Sequence, residues 1–165
     1  MLKTPIIDVI GYKDSGKTSI VERIVRRITR QGYKVCVMKH VHDPSLSFDT
    51  PGKDSWRVAQ AGAETVVLVS GTRRVLMENA KFKGEDLGHL LALGENSDLI
   101  ILEGFKSTKP IGLDVYYILA ARDERDVAAL SRGRDNIIFV NSPAALKKES
   151  TCKIPSGNLV LDDNI

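Results

Sequence analysis

An α/β fold, with a mainly parallel sheet flanked by helices, is the class this sequence predicts, on three observations. The apolar runs are short and rich in Val and Ile. They alternate with segments of helical periodicity, and the first is followed by a glycine-containing turn that opens a helix. Buried strands separated by helices make βαβ units, which require a parallel sheet with helices on its faces. With 165 residues, 42% hydrophobic and 27% charged, the chain has the composition of an ordinary globular protein. Its length suits one domain, 1–165, with a sizeable core.

Residues 6–10 read as the first strand. Residues 18–30 read as a helix, with Ile20, Val21, Ile24, Val25 and Ile28 on one face and Arg23, Arg26, Arg27 and Arg30 on the other. Gly32 is placed to cap it, and a second strand spans 34–38. Residues 40–53 hold two histidines, two prolines and a glycine without periodicity, the pattern of an ordered functional loop. Helical patterning resumes at Asp54 and runs to Ala61, with Trp56, Val58 and Ala59 on its expected core face. Runs at 66–69 and 75–78 flank Gly71-Thr72-Arg73-Arg74 and predict a hairpin that adds antiparallel strands at one edge of the sheet. A helix over 85–93 and strands over 99–102, 116–119 and 137–140 complete the pattern.

Charge and cysteine content exclude several classes. Twenty-four Lys and Arg against 21 Asp and Glu leave a net charge of +3, without the long cationic run that would make nucleic acid an expected partner. Two cysteines, Cys36 and Cys152, cannot make a disulfide framework, and a reduced, cytoplasmic setting is expected. The first apolar run is short, so no signal peptide is expected, and no apolar run reaches the roughly 18 residues a membrane span needs.

The strongest chemical signal is Gly11-Tyr12-Lys13-Asp14-Ser15-Gly16-Lys17-Thr18, a G-x-x-x-x-G-K-[ST] sequence between a strand and a helix. Gly11 and Gly16 are expected to permit a backbone that turns N–H groups inward as a nest for phosphate oxygens. The helix opening at Lys17 adds its positive end. Lys17 reaches toward the β- and γ-phosphates, and the Thr18 hydroxyl is placed to ligate Mg²⁺. The binding segment therefore comprises Gly11, Asp14, Ser15, Gly16, Lys17, Thr18 and Ser19, with the Asp14 carboxylate expected to point away from the phosphates.

In open parallel sheets, ligands sit beyond the carboxyl ends of the strands. There the ends of three predicted strands converge: Gly11, then Lys39 and His40, then Glu103. Glu103 closes an apolar strand as the acidic residue of a Walker B element does, and is a candidate Mg²⁺ ligand and catalytic group. Asp98 opens that strand and belongs at the far edge in a structural role. Asp49 is a second candidate to ligate Mg²⁺ or orient a water, or else a plain turn residue. His40 and His42 form a His-x-His pair that suits either a transition metal or a nucleotide-facing loop. Arg73 and Arg74 sit at the hairpin tip, solvated or reaching a partner.

The P-loop at 11–18, Lys39-His40-Val41-His42, Asp49-Thr50-Pro51-Gly52-Lys53-Asp54-Ser55-Trp56-Arg57, Ala61-Gly62-Ala63 and Leu102-Glu103-Gly104-Phe105-Lys106 follow one another in an order that resembles the MobB family, the molybdopterin-guanine dinucleotide biosynthesis adapter proteins. The resemblance covers about residues 5–120. It implies a P-loop NTPase-like fold, GTP bound with Mg²⁺, weak GTP hydrolysis and a homodimer. It also implies partnership with MobA, the guanylyltransferase that joins GMP to molybdopterin. Carried over by position, Gly11, Ser15, Gly16, Lys17 and Thr18 bind phosphates, Glu103 lies near the metal, and His40, His42, Asp49 and Lys53 form a loop over the nucleotide. The chain departs from the pattern in two places. Asn141-Ser142-Pro143 stands where an acidic residue suited to guanine is expected, with no Asn-Lys-x-Asp motif anywhere, and Leu161-Asp162-Asp163-Asn164-Ile165 stands where similar proteins run on into a helix. Two other activities fit the same residues: a small P-loop kinase or ATPase using Asp49 or His40 as base, and a metal-handling module built on His40 and His42.

Overall fold

The computed structural model describes residues 4–43, 45–79, 83, 87–105, 113–141, 152–153 and 160–161. The elements run β1 (Ile6–Gly11), α1 (Lys17–Arg30), β2 (Val35–Lys39), α2 (Asp54–Gln60), β3 (Thr65–Val69), β4 (Arg74–Glu78), α3 (Leu87–Leu93), β5 (Leu99–Glu103), β6 (Val115–Ala120), α4 (Glu124–Ser131), β7 (Ile137–Asn141), β8 (Cys152–Lys153) and β9 (Val160–Leu161). Residues 85 and 86 of the expected third helix lie outside the described residues, as do Lys106, Ser142, Pro143 and 162–165. The chain divides into two compact units, one made of residues 1–40 and 84–165 and the other of residues 41–83.

In the first unit, five strands form one sheet in the order β2-β5-β1-β6-β7, with every neighbouring pair parallel. The central strands β1 and β5 are buried along their whole length, which is why they read as nearly continuous apolar runs. On one face, Ile20, Val21, Ile24 and Ile28 of α1 pack with Ile7, Val9, Leu99 and Ile101. On the other, Leu87 and Leu91 of α3 pack with Ile6, Ile100, Leu102 and Phe105, and Leu130 of α4 packs with Ile10 and Leu119.

Helix α1 ends where Gly32 predicts. Gly32 takes φ 88°, its N–H reaches Thr29 O at 3.0 Å, and the Tyr33 N–H reaches Ile28 O at 3.3 Å, the bonding of a Schellman cap. Tyr33 then packs on the cluster that holds Ile28, the apolar contact that accompanies such caps. Asp98 also behaves as expected: its carboxylate accepts the Lys34 N–H at 2.7 Å and ties the start of β5 to the start of β2, at the sheet end away from Glu103.

In the second unit, β3 and β4 pair antiparallel, from Thr65 with Glu78 to Val69 with Arg74. Here the expectation needs correcting. The hairpin does not extend the parallel sheet but forms a two-stranded sheet of its own. A hairpin satisfies its ladder locally, through a turn in which Ser70 N–H reaches Arg73 O at 2.8 Å, so its sequence specifies its own pairing and not the sheet it joins. Helix α2 is corrected too: no residue in it is buried, and Val58 is 53% exposed. A unit this short has little interior to offer a helix face.

Candidate phosphate site

Strand β1 ends at Gly11, and the loop turns from there into α1 through two left-handed residues, Asp14 at φ 59° and Gly16 at φ 84°. Gly16 is the residue that precedes the helix, with no side-chain cap, so the first N–H groups of α1 are left for a ligand. Gly11 is a glycine for a different reason from the expected one. Its φ is not left-handed; instead, a Cβ there would run into the Ala120 carbonyl of β6 and the Ser15 hydroxyl. It permits close approach, not an unusual turn. Asp14, Ser15, Gly16, Lys17, Thr18 and Ser19 line a cavity of about 380 Å³. The Lys17 ammonium donates to Tyr12 O at 2.5 Å, which folds it over the loop. The Ser15 hydroxyl is buried without a hydrogen bond among the described residues.

The register of the sheet brings the other predicted groups to this loop. Lys39 at the end of β2 stands beside Glu103 at the end of β5. Alternation along each strand turns both toward the α1 face, because Leu99 and Ile101 of β5 and Val35 of β2 pack there. Glu103 is buried, 4% exposed, and not the solvated strand-end acid it could have been. The Thr18 hydroxyl donates to Glu103 Oε1 at 2.8 Å, and the Lys39 ammonium lies 3.0 Å from the same oxygen and 3.2 Å from Thr18 Oγ1. Hydroxyl and carboxylate oxygens are the donors Mg²⁺ takes, and this pair already holds a cationic group, so the residues present fit a divalent cation.

Gly104 explains the sequence that follows. It takes φ 92°, and a Cβ there would lie 2.8 Å from His40 O, so only glycine lets the end of β5 lie against the end of β2. His40 N–H donates to Glu103 O at 2.8 Å, and its ring stands 5.4 Å from that of Phe105. Glu-Gly-Phe thus combines a carboxylate on the α1 face, a tight turn, and a core residue that packs with α3.

Sequence reasoning missed two groups here. Lys39 reads from sequence as a strand end in a polar segment, without its pairing to Glu103. Arg122, after β6, stacks on the Tyr12 ring at 5.2 Å and binds Asp126 through Nε at 2.7 Å and Nη2 at 3.1 Å. The acidic run Asp123-Glu124-Arg125-Asp126 was the available signal for the helix that organises it.

His42, Asp49, Lys53, Arg73 and Arg74 belong to the second unit. Asp49 Oδ1 accepts the Thr50 N–H at 2.7 Å, while its Oδ2 has no hydrogen bond among the described residues. Lys53 precedes α2, its carbonyl accepting the Arg57 N–H at 2.9 Å, and His42, Arg73 and Arg74 are exposed. Among the described residues, no three His, Cys, Asp or Glu side chains gather to hold a metal ion, and no helix is long and apolar enough to cross a membrane.

A parallel sheet whose first strand feeds a phosphate loop, with a carboxylate on a neighbouring strand end beside the loop threonine, defines a P-loop α/β protein. Residues 6–141 match the family model of molybdopterin guanine dinucleotide synthesis protein B, MobB. The chain belongs to the MobB family. It is 37% identical over 105 residues to a probable molybdopterin-guanine dinucleotide biosynthesis adapter protein of Bacillus subtilis, 62% of this chain and 59% of that protein. It is 34% identical over 104 residues to the adapter protein of Haemophilus influenzae, 62% of this chain and 57% of that one. The crystal structure of Bacillus subtilis MobB superposes with a TM-score of 0.66 at 26% identity, covering 92% of this chain and 86% of that one. The chain spans between 50% and 59% of the length of the curated relatives it matches.

Proposed function

We propose that this protein is a GTP-binding adapter in the synthesis of molybdopterin guanine dinucleotide, acting as a homodimer beside a guanylyltransferase of the MobA kind. The observation that carries the reading is the junction of Thr18, Glu103 and the phosphate loop, set in a chain whose relatives bear the adapter name. In this reading, the α1 N-terminus, the loop N–H groups and Lys17 take the phosphates. Thr18 and Glu103 hold Mg²⁺, which neutralises phosphate charge when bound. Asp14 and Ser19 complete the lining, and His40 stands at the end of β2, its N–H on Glu103 O.

Hydrolysis is slow in this reading. Arg122, the arginine stacked on the loop, has its guanidinium committed to Asp126. It is not placed as an arginine finger, a part worth roughly 10³–10⁵ in rate.

Calorimetric titration with GTP and with ATP, each with and without Mg²⁺, tests the reading. Clear preference for Mg²⁺-GTP is expected, and equal or tighter ATP binding would move the protein to a kinase or ATPase role. Lys17→Ala is expected to cost roughly 1.5–3 kcal/mol of nucleotide affinity, the scale of a charge-assisted hydrogen bond. Unchanged affinity would mean that the phosphates lie elsewhere.

A further inference from the structure

The end of β2 carries a cation whose position the phosphate-binding role does not explain. Lys39 and Glu103 are register partners on adjacent parallel strands, so their side chains emerge side by side on the α1 face. A carboxylate as buried as Glu103 is costly unless it is hydrogen-bonded and paired with a counter-charge. Thr18 supplies the hydrogen bond and Lys39 the charge, the ammonium lying 3.0 Å from Glu103 Oε1 and 3.2 Å from Thr18 Oγ1. The two ends of this ion pair differ: the Lys39 side chain is 51% exposed and that of Glu103 only 6%. The lysine has a flexible stem and water to return to, whereas the carboxylate has neither.

We propose that Lys39 is a built-in counter-ion that a divalent cation must displace before it can bind Thr18 and Glu103. This rests on the assignment of those two residues as the cation site. The ammonium and the divalent ion need the same two oxygens, and two cations cannot share them at contact distance. The nucleotide-free protein therefore keeps a neutralised site and resists bare Mg²⁺. Cation and nucleotide load together, because the phosphates bring the negative charge that makes a second positive centre tolerable and give the released ammonium an anionic neighbourhood.

The test uses the nucleotide-free 165-residue chain and two readouts: Mn²⁺ binding followed by electron paramagnetic resonance, and the thermal midpoint with and without millimolar Mg²⁺. Lys39→Met, which keeps the stem and removes the charge, is expected to bind Mn²⁺ about fivefold more tightly, the scale of one partly exposed ion pair. It is also expected to show a lowered midpoint that Mg²⁺ restores, while the wild-type midpoint ignores Mg²⁺. Lys39→Arg should behave as wild type, and adding Glu103→Gln to Lys39→Met should abolish the Mg²⁺ response. If Lys39→Met fails to fold, Lys39→Gln takes its place in both readouts. Equal Mn²⁺ affinity and equal Mg²⁺ response in wild type and variant would overturn the role of Lys39. Wild-type protein that binds no Mg²⁺–nucleotide would overturn the reading of the site itself, a separate result.

Discussion

Asp8 sits in the middle of β1 with 1% of its surface exposed and one carboxylate oxygen without a hydrogen bond among the described residues. It shares a face with Ile6 and Ile10, opposite α1, and lies in register with Tyr117 of β6. Burial pushes its pKa up from 3.8 to about 7, the charge of Arg134 pulling the other way. Burial and the charge of Asp8 likewise raise Tyr117. The folded protein therefore holds a proton on Asp8 that the unfolded chain has released. Stability falls as pH rises from about 4 to about 7 and levels off above that, the loss reaching about 4 kcal/mol. Below about pH 4 both states are protonated and the penalty vanishes. Asp8→Asn should flatten this slope and gain stability above pH 7, as read by urea unfolding at a series of pH values. A wild-type stability that is level across the window would show that the carboxyl titrates normally. Little of this was legible beforehand: the sequence shows an Asp in an apolar run, and only strand pairing on both sides buries that position so fully.

At the scale of elements, α1 could be read because its apolar residues recur at helical spacing and Gly32 marks its end. Helix α4 was missed because eight residues hold too few apolar positions to establish a period. Its sign was the cap: Asp123 accepts the Asp126 N–H at 2.8 Å, and the first turn carries Glu124 and Asp126 against the positive end of the helix. Asp123→Ala is expected to cost about 1 kcal/mol of stability, seen as a lower urea midpoint with an unchanged denaturant slope. An unchanged midpoint would mean that the packing of Leu130 and the Arg122–Asp126 pair hold α4 without the cap. The candidate site divides in the same way. The phosphate loop is a contiguous sequence and was read whole. Lys39 gains its meaning only from Glu103, 64 positions along the chain, and sheet order is a non-local property that neither run announces.

At the scale of the molecule, the proposed homodimer has a candidate surface in the second unit. Val67 and Leu76 are register partners and, with Val69, make an apolar ribbon face on which the three are 58%, 47% and 72% exposed. The opposite face holds Val66, which is buried, beside Leu68 and Val75, which are 40% and 45% exposed. Contiguous apolar surface of this kind is suited to association. Val67→Glu combined with Val69→Glu is expected to convert a dimer to a monomer in sedimentation experiments, with nucleotide affinity kept. A dimer that survives both charges would place the contact elsewhere.

The sheet order has a consequence for how the site is built. Because β2 and β5 are neighbours, with α3 between them in sequence, β2, α3 and β5 already make a complete crossover unit. Residues 41–83 form a compact unit of their own, outside that crossover. The strand ends that bring Lys39 and Glu103 together are therefore built within that crossover.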